Sequence, residues 1–257
     1  MAAPILQNRL PKGQAEVARA RLPAMRPVVG PWLSCDGAYD AQMALRRDLL
    51  ENRERAVHAQ QKDGLAAART FLGMVLEVLP DGFMVIGGQV TCPDGAVVTL
   101  DWDSPLWTAG NILQQDVCIL EKRGTEHVLT GAVLCFPASW TLAQKIGKPL
   151  TGIHVPVADY DDAIARRVQR LFDGVQDGCP MWRANLLRYD DPALHQPRAE
   201  DDPRPTGQAD APYLRSERQT VIRLPHPDAV GFVIHTTVVK ADSEDEEKDS
   251  QNKDAAT

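Results

Sequence analysis

The chain has 257 residues, of which 44% are hydrophobic, and its net charge is −7. This length is enough for one domain with a sizeable core, and no apolar run is long enough to cross a membrane. The last 17 residues hold seven acidic and two basic side chains, so the body of the chain is nearly neutral. It lacks the basic stripe that nucleic-acid binding requires.

The two ends of the chain are predicted to be irregular. Residues 1–35 contain five prolines, which favour an extended N-terminal arm over a helix. Residues 241–257 lack aromatic and large aliphatic side chains, and this composition predicts a disordered acidic tail. A docking peptide for a basic partner is the alternative for the tail. Residues 36–240 are predicted to form a single domain.

The first part of this domain is predicted to be helical, over residues 36–80. Apolar residues recur at helical spacing in residues 36–62 and again in residues 64–79. The Pro-Asp-Gly sequence at residues 80–82 ends the second helix.

Residues 83–240 are predicted to be mostly sheet, with one helix near residues 158–175. Turn signals stand at residues 93–95 and 122–125. A four-proline segment, residues 196–212, is predicted to be a long loop of the kind that often serves as a lid. The longer strands are predicted at residues 111–120, 128–136, 181–189, 218–224 and 230–239.

The sum of these elements is an α+β fold, an antiparallel sheet with its helices gathered on one side and at the start. The chain contains neither G-x-G-x-x-G nor G-x-x-x-x-G-K-[ST], so a nucleotide-binding βα unit is not supported. The five cysteines are odd in number and form no C-x-x-C, which argues against a disulfide framework, a cysteine-rich zinc site and covalent haem attachment. No apolar signal core is present at the N-terminus, and we expect a reducing, cytoplasmic location.

His154 is the candidate metal ligand. It lies between apolar neighbours and just before the helix predicted near residue 158. A lone imidazole in an apolar wall suits the axial ligand of a haem, and equally suits a core histidine with a backbone partner. His235, in a predicted strand, is the main competitor. His127, His195, His226 and His58 are expected to be solvated or to border loops, and the Cys-Pro pairs at Cys92 and Cys179 are minor alternatives.

Seven short strings together resemble a known family, the haem-dependent oxidative N-demethylase α-subunit-like proteins. They keep the family's order over roughly residues 25–240. The strings are Trp32-Leu33 with Asp36 and Tyr39, Gln115-Asp116 with Ile119-Leu120, Phe136-Pro137-Ala138-Ser139-Trp140, Lys145-Ile146-Gly147, Ile153-His154-Val155-Pro156-Val157, Arg183-Ala184-Asn185, and Arg215-Ser216-Glu217-Arg218-Gln219-Thr220 leading into Leu224-Pro225.

This resemblance implies a PAS-like curved antiparallel sheet with flanking helices, which holds a non-covalent b-type haem. It implies oxygen-dependent removal of a methyl group from a small secondary amine. Electrons would come from NADPH through a partner reductase that carries flavin and an iron–sulfur cluster. Leu186 stands where the family pattern has tryptophan, so the substrate is expected to differ if this residue lines the pocket.

If the chain binds a haem, as the resemblance implies, several side chains are candidates to contact it. His154 would bind the iron, and the flat ring of Trp140 would wall the macrocycle, although it is also a simple core aromatic. Arg183, Arg215 and Arg218 match the two haem propionates, and salt bridges at the sheet rim are their alternative role. Lys145 could serve similarly, although a lysine at this position is expected to be solvated.

Gln115, Asp116 and Glu217 are the candidate catalytic residues. A carboxylate would accept a hydrogen bond from a protonated amine, and a glutamine would polarise bound oxygen. Sheet hydrogen bonds and caps are the ordinary roles of these residue types. Two other functions stay open, a haem-based gas or redox sensor without turnover and a haem-free protein that binds another small ligand.

Overall fold

The computed structural model describes residues 3–20, 25–138, 140–154, 162–202, 210–226 and 228–242. Within these ranges the helices are α1 (Gln14–Arg19), α2 (Tyr39–Asn52), α3 (Glu54–Val57), α4 (Leu65–Glu77), α5 (Pro105–Ile112), α6 (Leu150–His154) and α7 (Asp162–Gly174). The strands are β1 (Arg26–Pro27), β2 (His58–Gln60), β3 (Met84–Ile86), β4 (Gln89–Thr91), β5 (Val97–Thr99), β6 (Asp116–Arg123), β7 (Glu126–Val133), β8 (Met181–Tyr189), β9 (Tyr213–Arg223) and β10 (Ala229–Lys240).

The centre of the fold is a seven-stranded sheet in the order β1-β8-β9-β10-β6-β7-β2, and every pair in it is antiparallel. Short turns connect β6 to β7 and β9 to β10, so these neighbours in sequence are neighbours in the sheet. The structure confirms the predicted α+β class with an antiparallel sheet.

Each face of this sheet packs against its own hydrophobic cluster, because successive side chains of a strand point to opposite faces. Ile222 and Val233 belong to the larger cluster, which includes α2, α4 and α5. Their neighbours Val221 and Ile234 belong to a second cluster, which includes Leu150 of α6 and Phe172 of α7. We call these the α4 face and the α7 face of the main sheet.

A second sheet of three short strands has the order β3-β4-β5 and packs on the larger cluster through Val90, which is fully buried. Gly87 and Gly88 connect β3 to β4 with φ angles of 58° and 79°. Two consecutive positive φ angles are what a two-residue type I′ turn requires, and glycine adopts them without steric cost. The turn predicted at residues 93–95 joins β4 to β5, as expected.

The structure differs from the sequence-based expectations in several places. The helices were expected on one side of the sheet, but α2, α4 and α5 cover one face while α7 and the unpredicted α6 cover the other. Residues 14–19, a proline-free stretch of the predicted extended arm, form α1, which buries Gln14 and Val17. The helix predicted over residues 36–62 is interrupted at Arg53 and ends with α3 at Val57, because residues 58–60 form β2 and pair with β7. The first residues of the strand predicted at 111–120 complete α5, which begins at Pro105.

Several predictions concern residues outside the described ranges. These are most of the acidic tail, residues 243–257, the middle of the predicted lid loop, residues 203–209, and the start of the helix predicted near residue 158. No helix in the described part of the chain is long and apolar enough to cross a membrane.

Candidate functional site

His154 is the last residue of α6, and its ring is held by the helix itself. Nδ1 lies 2.8 Å from the carbonyl oxygen of Leu150, one helical turn earlier. A carbonyl can only accept, so Nδ1 carries the proton and the lone pair lies on Nε2. Burial lowers the pKa of His154 and the nearby charge of Lys145 lowers it further, while the hydrogen bond to Leu150 opposes them. The lowered pKa favours the neutral ring, which is the form that binds a metal.

Lys145 fixes the same helix. Its ammonium donates to the carbonyl oxygen of Ile153 at 2.6 Å and pairs with Glu200 at 2.7 Å. The residue is 3% exposed, so the expectation of a solvated lysine was wrong. A buried lysine that binds the backbone beside His154 restricts where that imidazole can lie.

His235, the main competitor, lies on the α4 face and has a partner at each ring nitrogen. Nε2 is 3.0 Å from Oδ2 of Asp36, and Nδ1 is 2.9 Å from Nε2 of Gln115. The glutamine amide donates to Nδ1 and Nε2–H donates to the carboxylate, which makes one consistent tautomer. The ring thus serves to connect β10 to the segment before α2.

Three of the other candidate ligands are packed or hydrogen-bonded within the fold. His127 was expected in a solvated turn, but it is fully buried in β7, because Gln169 and Phe172 of α7 pack against it. Cys92 was expected in an ordinary loop and is 2% exposed in the core. The Nδ1 atom of His195 lies 2.8 Å from the carbonyl oxygen of Cys135, and this geometry again makes Nδ1 the donor.

The structure does not bring the three candidate arginines together. Arg183 lies two residues after Met181 of the second cluster and therefore faces α7, whereas Arg218 faces the other side and stacks on Trp182 at 4.7 Å. Arg215 is 2% exposed and donates to the carbonyl oxygens of Phe136 and Leu194. Its guanidinium is thus used within the protein.

Arg183 differs from Arg215 in its terminal guanidinium nitrogens. Both Nη atoms of Arg215 donate to backbone carbonyls, whereas Arg183 makes no side-chain hydrogen bond to the described residues. The Nε atoms of both arginines are buried and without a partner among the described residues. Burial lowers the pKa of Arg183, and the carboxylate of Glu217 partly offsets this effect. A partly buried guanidinium without a close counterion is stabilised when an anion pairs with it.

Glu217 lies on the α7 face and is held by Asn185 of the neighbouring strand. The Asn185 amide donates to Oε2 of Glu217 at 3.0 Å, and Oδ1 of Asn185 accepts from the backbone N–H of Glu217 at 2.8 Å. Gln219 donates to the same carboxylate oxygen at 3.3 Å. The structure thereby places a carboxylate and the Arg183 guanidinium on one face of the sheet.

The other two candidate catalytic residues lie in the core. The carboxylate of Asp116 accepts from Arg46 at 2.5 Å and from the backbone N–H groups of Cys135 and Phe136 at 2.8 Å. The amide of Gln115 contacts His235 and the carbonyl of Ser34. Both side chains have ordinary structural partners, and a catalytic role for either stays a prediction.

Trp140 is half-buried and packs on the second cluster together with Ile153 and Met181. Two surface cavities of about 580 Å³ and about 360 Å³ lie elsewhere, beside His127 and beside Trp107 respectively. We assign the candidate site by the chemistry of its side chains, because neither cavity is lined by His154, Arg183 or Glu217.

Three residues that hold the candidate side chains in place were not predicted from the sequence, namely Arg46, Asn185 and Asp36. Arg46 and Asp116 are 70 residues apart, and Asp36 and His235 are 199 residues apart. No local sequence pattern marks Arg46, because an arginine on an amphipathic helix is ordinarily predicted to be exposed to solvent. Asp36 and Asn185 belong to the seven strings that resemble the family, and this was the only indication in the sequence that they matter.

Comparison with known proteins agrees with these strings. The family model described as "Haem-dependent oxidative N-demethylase, alpha subunit-like" matches residues 25–255. No curated protein matches the chain at a significant level.

Proposed function

Because the chain belongs to the haem-dependent oxidative N-demethylase alpha-subunit-like family, we propose that it binds a b-type haem through His154. We further propose that it takes part in the oxygen-dependent removal of a methyl group from a small secondary amine. The observation that carries the proposal is the bond from Nδ1 of His154 to the carbonyl of Leu150. It fixes the tautomer whose Nε2 can bind iron.

The side chains on the α7 face fit the rest of a haem. The orphaned, buried Nε atom of Arg183 suits a propionate, which would supply the missing counterion through paired hydrogen bonds. Both Nη atoms of Arg215 already donate to backbone carbonyls and Arg218 faces away, so we assign the propionate contact to Arg183. Trp140, beside Ile153 in the same cluster, is proposed as a wall for the macrocycle.

Glu217 is the proposed binding group for the amine. When bound, the haem supplies the oxygen and electron chemistry that the protein side chains lack. The Glu217 carboxylate would accept a hydrogen bond from the N–H of a protonated amine, and Asn185 and Gln219 would keep its Oε2 atom in place. An anchored carboxylate favours a cationic ligand over a neutral one.

The proposed reaction needs reducing equivalents from outside this chain. The alpha-subunit description of the family implies other subunits. We propose that NADPH provides the electrons through a partner with flavin and an iron–sulfur cluster, in the cytoplasm. The proposed shape of the binding region is PAS-like, with the haem between the curved sheet and its flanking helices.

The visible spectrum of the full-length protein, reconstituted with haemin, tests the iron ligand. We expect a Soret band that shifts on reduction and again with carbon monoxide. His154→Ala should remove or rearrange this spectrum, and added imidazole should restore it by replacing the missing ligand. His226→Ala, in the turn between β9 and β10, is the matched control and should leave the spectrum unchanged.

An unchanged spectrum in His154→Ala would overturn the ligand assignment. A protein that takes up no haem would leave the haem-free alternative. Turnover is tested separately by supplying a reductase and measuring NADPH consumption with and without a methylated amine. A haem spectrum without amine-dependent consumption would favour a sensor.

A further inference from the structure

One face of the small sheet has no covering layer among the residues that the structure describes. The register of the sheet places two rows of side chains across this face. In the row between them Val90 and Val98 pack on the larger cluster, while Val85, on the edge strand, is 44% exposed. We call the face with these two rows the outer face, and its side chains are Met84, Thr91 and Val97 in one row and Ile86, Gln89 and Thr99 in the next.

The outer face is unusually apolar for solvent-exposed sheet. Met84 is 53% exposed, Ile86 65% and Val97 58%, and Trp102, just after β5, is 44% exposed. Single exposed apolar residues are normal on protein surfaces, but a group of them on one face is typical of a contact surface.

The edge strand β3 adds a second feature. It pairs with β4 on one side, and its other side has no strand partner among the described residues. Exposed edge strands are usually kept very short or carry lysine, proline or a bulge, which limit pairing with another chain. Strand β3 is short, but its residues Met84, Val85 and Ile86 include no lysine and no proline. Such an edge can accept a strand of another protein.

Charge indicates which kind of protein would fit. No lysine, arginine or histidine occurs between Arg69 and Lys122. Asp94 and Asp103 pair with Arg47 and Arg69, while the exposed acids Glu77, Asp81 and Asp101 have no ion-pair partner among the described residues. Glu77 and Asp81 precede β3 and Asp101 follows β5, so the segments that border the small sheet carry a net negative charge, which we call the acidic rim.

We propose that the outer face and strand β3 form a docking surface for a different protein, whose contact surface is apolar and surrounded by lysine and arginine. A second copy of this chain would bring two acidic rims together, which costs binding energy. The small sheet packs on the α4 side of the molecule, so a protein docked there leaves the α7 face open. This inference goes beyond the proposed function and does not depend on haem.

The test uses the full-length chain isolated with its associated protein from the cells that produce it. Binding of that purified protein is measured for the unmodified chain, for Ile86→Lys, for Glu77→Lys with Asp81→Lys, and for Leu187→Lys. Leu187 is 55% exposed on β8 of the main sheet and is the matched control. Hydroxyl-radical footprinting of the complex reports whether Met84 and Trp102 become protected.

We expect Ile86→Lys and the Glu77, Asp81 double variant to weaken binding at least about tenfold, and Leu187→Lys to have no effect. Salt should weaken binding of the unmodified chain, and Met84 and Trp102 should be protected in the complex. Equal binding by Ile86→Lys and Leu187→Lys would overturn the proposal. So would unprotected Met84 and Trp102, an acidic contact surface on the partner, or concentration-dependent dimerisation of this chain that Ile86→Lys abolishes.

Discussion

His235 and Asp36 lie 3.0 Å apart, Nε2 to Oδ2, although they are 199 residues apart in sequence. Burial by itself raises the pKa of Asp36, but the hydrogen bonds from His235, Gln114 and Gln7 outweigh it and hold that pKa well below its usual range. The carboxylate therefore stabilises the folded chain in its ionised form.

This relationship predicts a specific loss of stability in acid. A carboxylate with a lowered folded-state pKa contributes fully above its unfolded pKa of about 3.9 and loses that contribution as the pH falls from there towards the folded value. Asp36→Asn should cost about 1–3 kcal/mol at neutral pH and should show a weaker decline in acid. Urea unfolding between neutral and acidic pH measures both. Asp190→Asn, at an exposed position, is the control, and equal pH profiles for Asp36→Asn and the unmodified protein would contradict the prediction.

The buried pair of Arg46 and Asp116 gives a second prediction. Both side chains are almost inaccessible, at 0% and 1% exposure. Asp116→Asn keeps the shape but leaves the arginine charge unpaired, and we expect a loss of about 3–5 kcal/mol in the free energy of unfolding. The double variant with Arg46→Met should lose less than the sum of the single changes. A fully stable Asp116→Asn protein that binds haem but lacks turnover would instead support a catalytic aspartate.

Arg183 and Arg218 allow a matched test of the haem orientation. They lie on opposite faces of the sheet, and both have a buried Nε atom without a partner among the described residues. We expect Arg183→Gln to weaken haem binding about tenfold or more, because a charge-assisted bond to a propionate is lost. Arg218→Gln should leave the affinity nearly unchanged. Spectroscopic titration with haemin compares them, and the reverse order of effects would place the haem on the α4 face.

Glu217→Gln tests the proposed amine site. The substitution keeps the size of the side chain and removes its charge, so a protonated amine should bind about tenfold or more weakly. Haem affinity should change little. Amine-induced shifts of the haem spectrum measure this binding, with a neutral ligand such as carbon monoxide as the control. If the amine binds both forms equally, another group holds it.

Much of the fold follows from local sequence patterns. β8 has the predicted bounds, residues 181–189, and the last hairpin extends the predicted strands by a few residues at most of their ends. Alternating side chains and turn residues act over a few positions, so they can be recognised without knowledge of the rest of the chain. The same alternation separates Arg215 from Arg218, which are three residues apart in one strand.

The sequence by itself determined the α+β class, the sheet hairpins and, through seven short strings, the family. Only the tertiary structure decided that His127 is buried, that Asp116 pairs with Arg46, that Asp36 holds His235, and that Arg215 rather than Arg183 donates to backbone carbonyls. These outcomes depend on contacts between residues that are far apart in the chain. The packing of helices on the two faces of the sheet selects such contacts, and no local pattern encodes which face each helix covers.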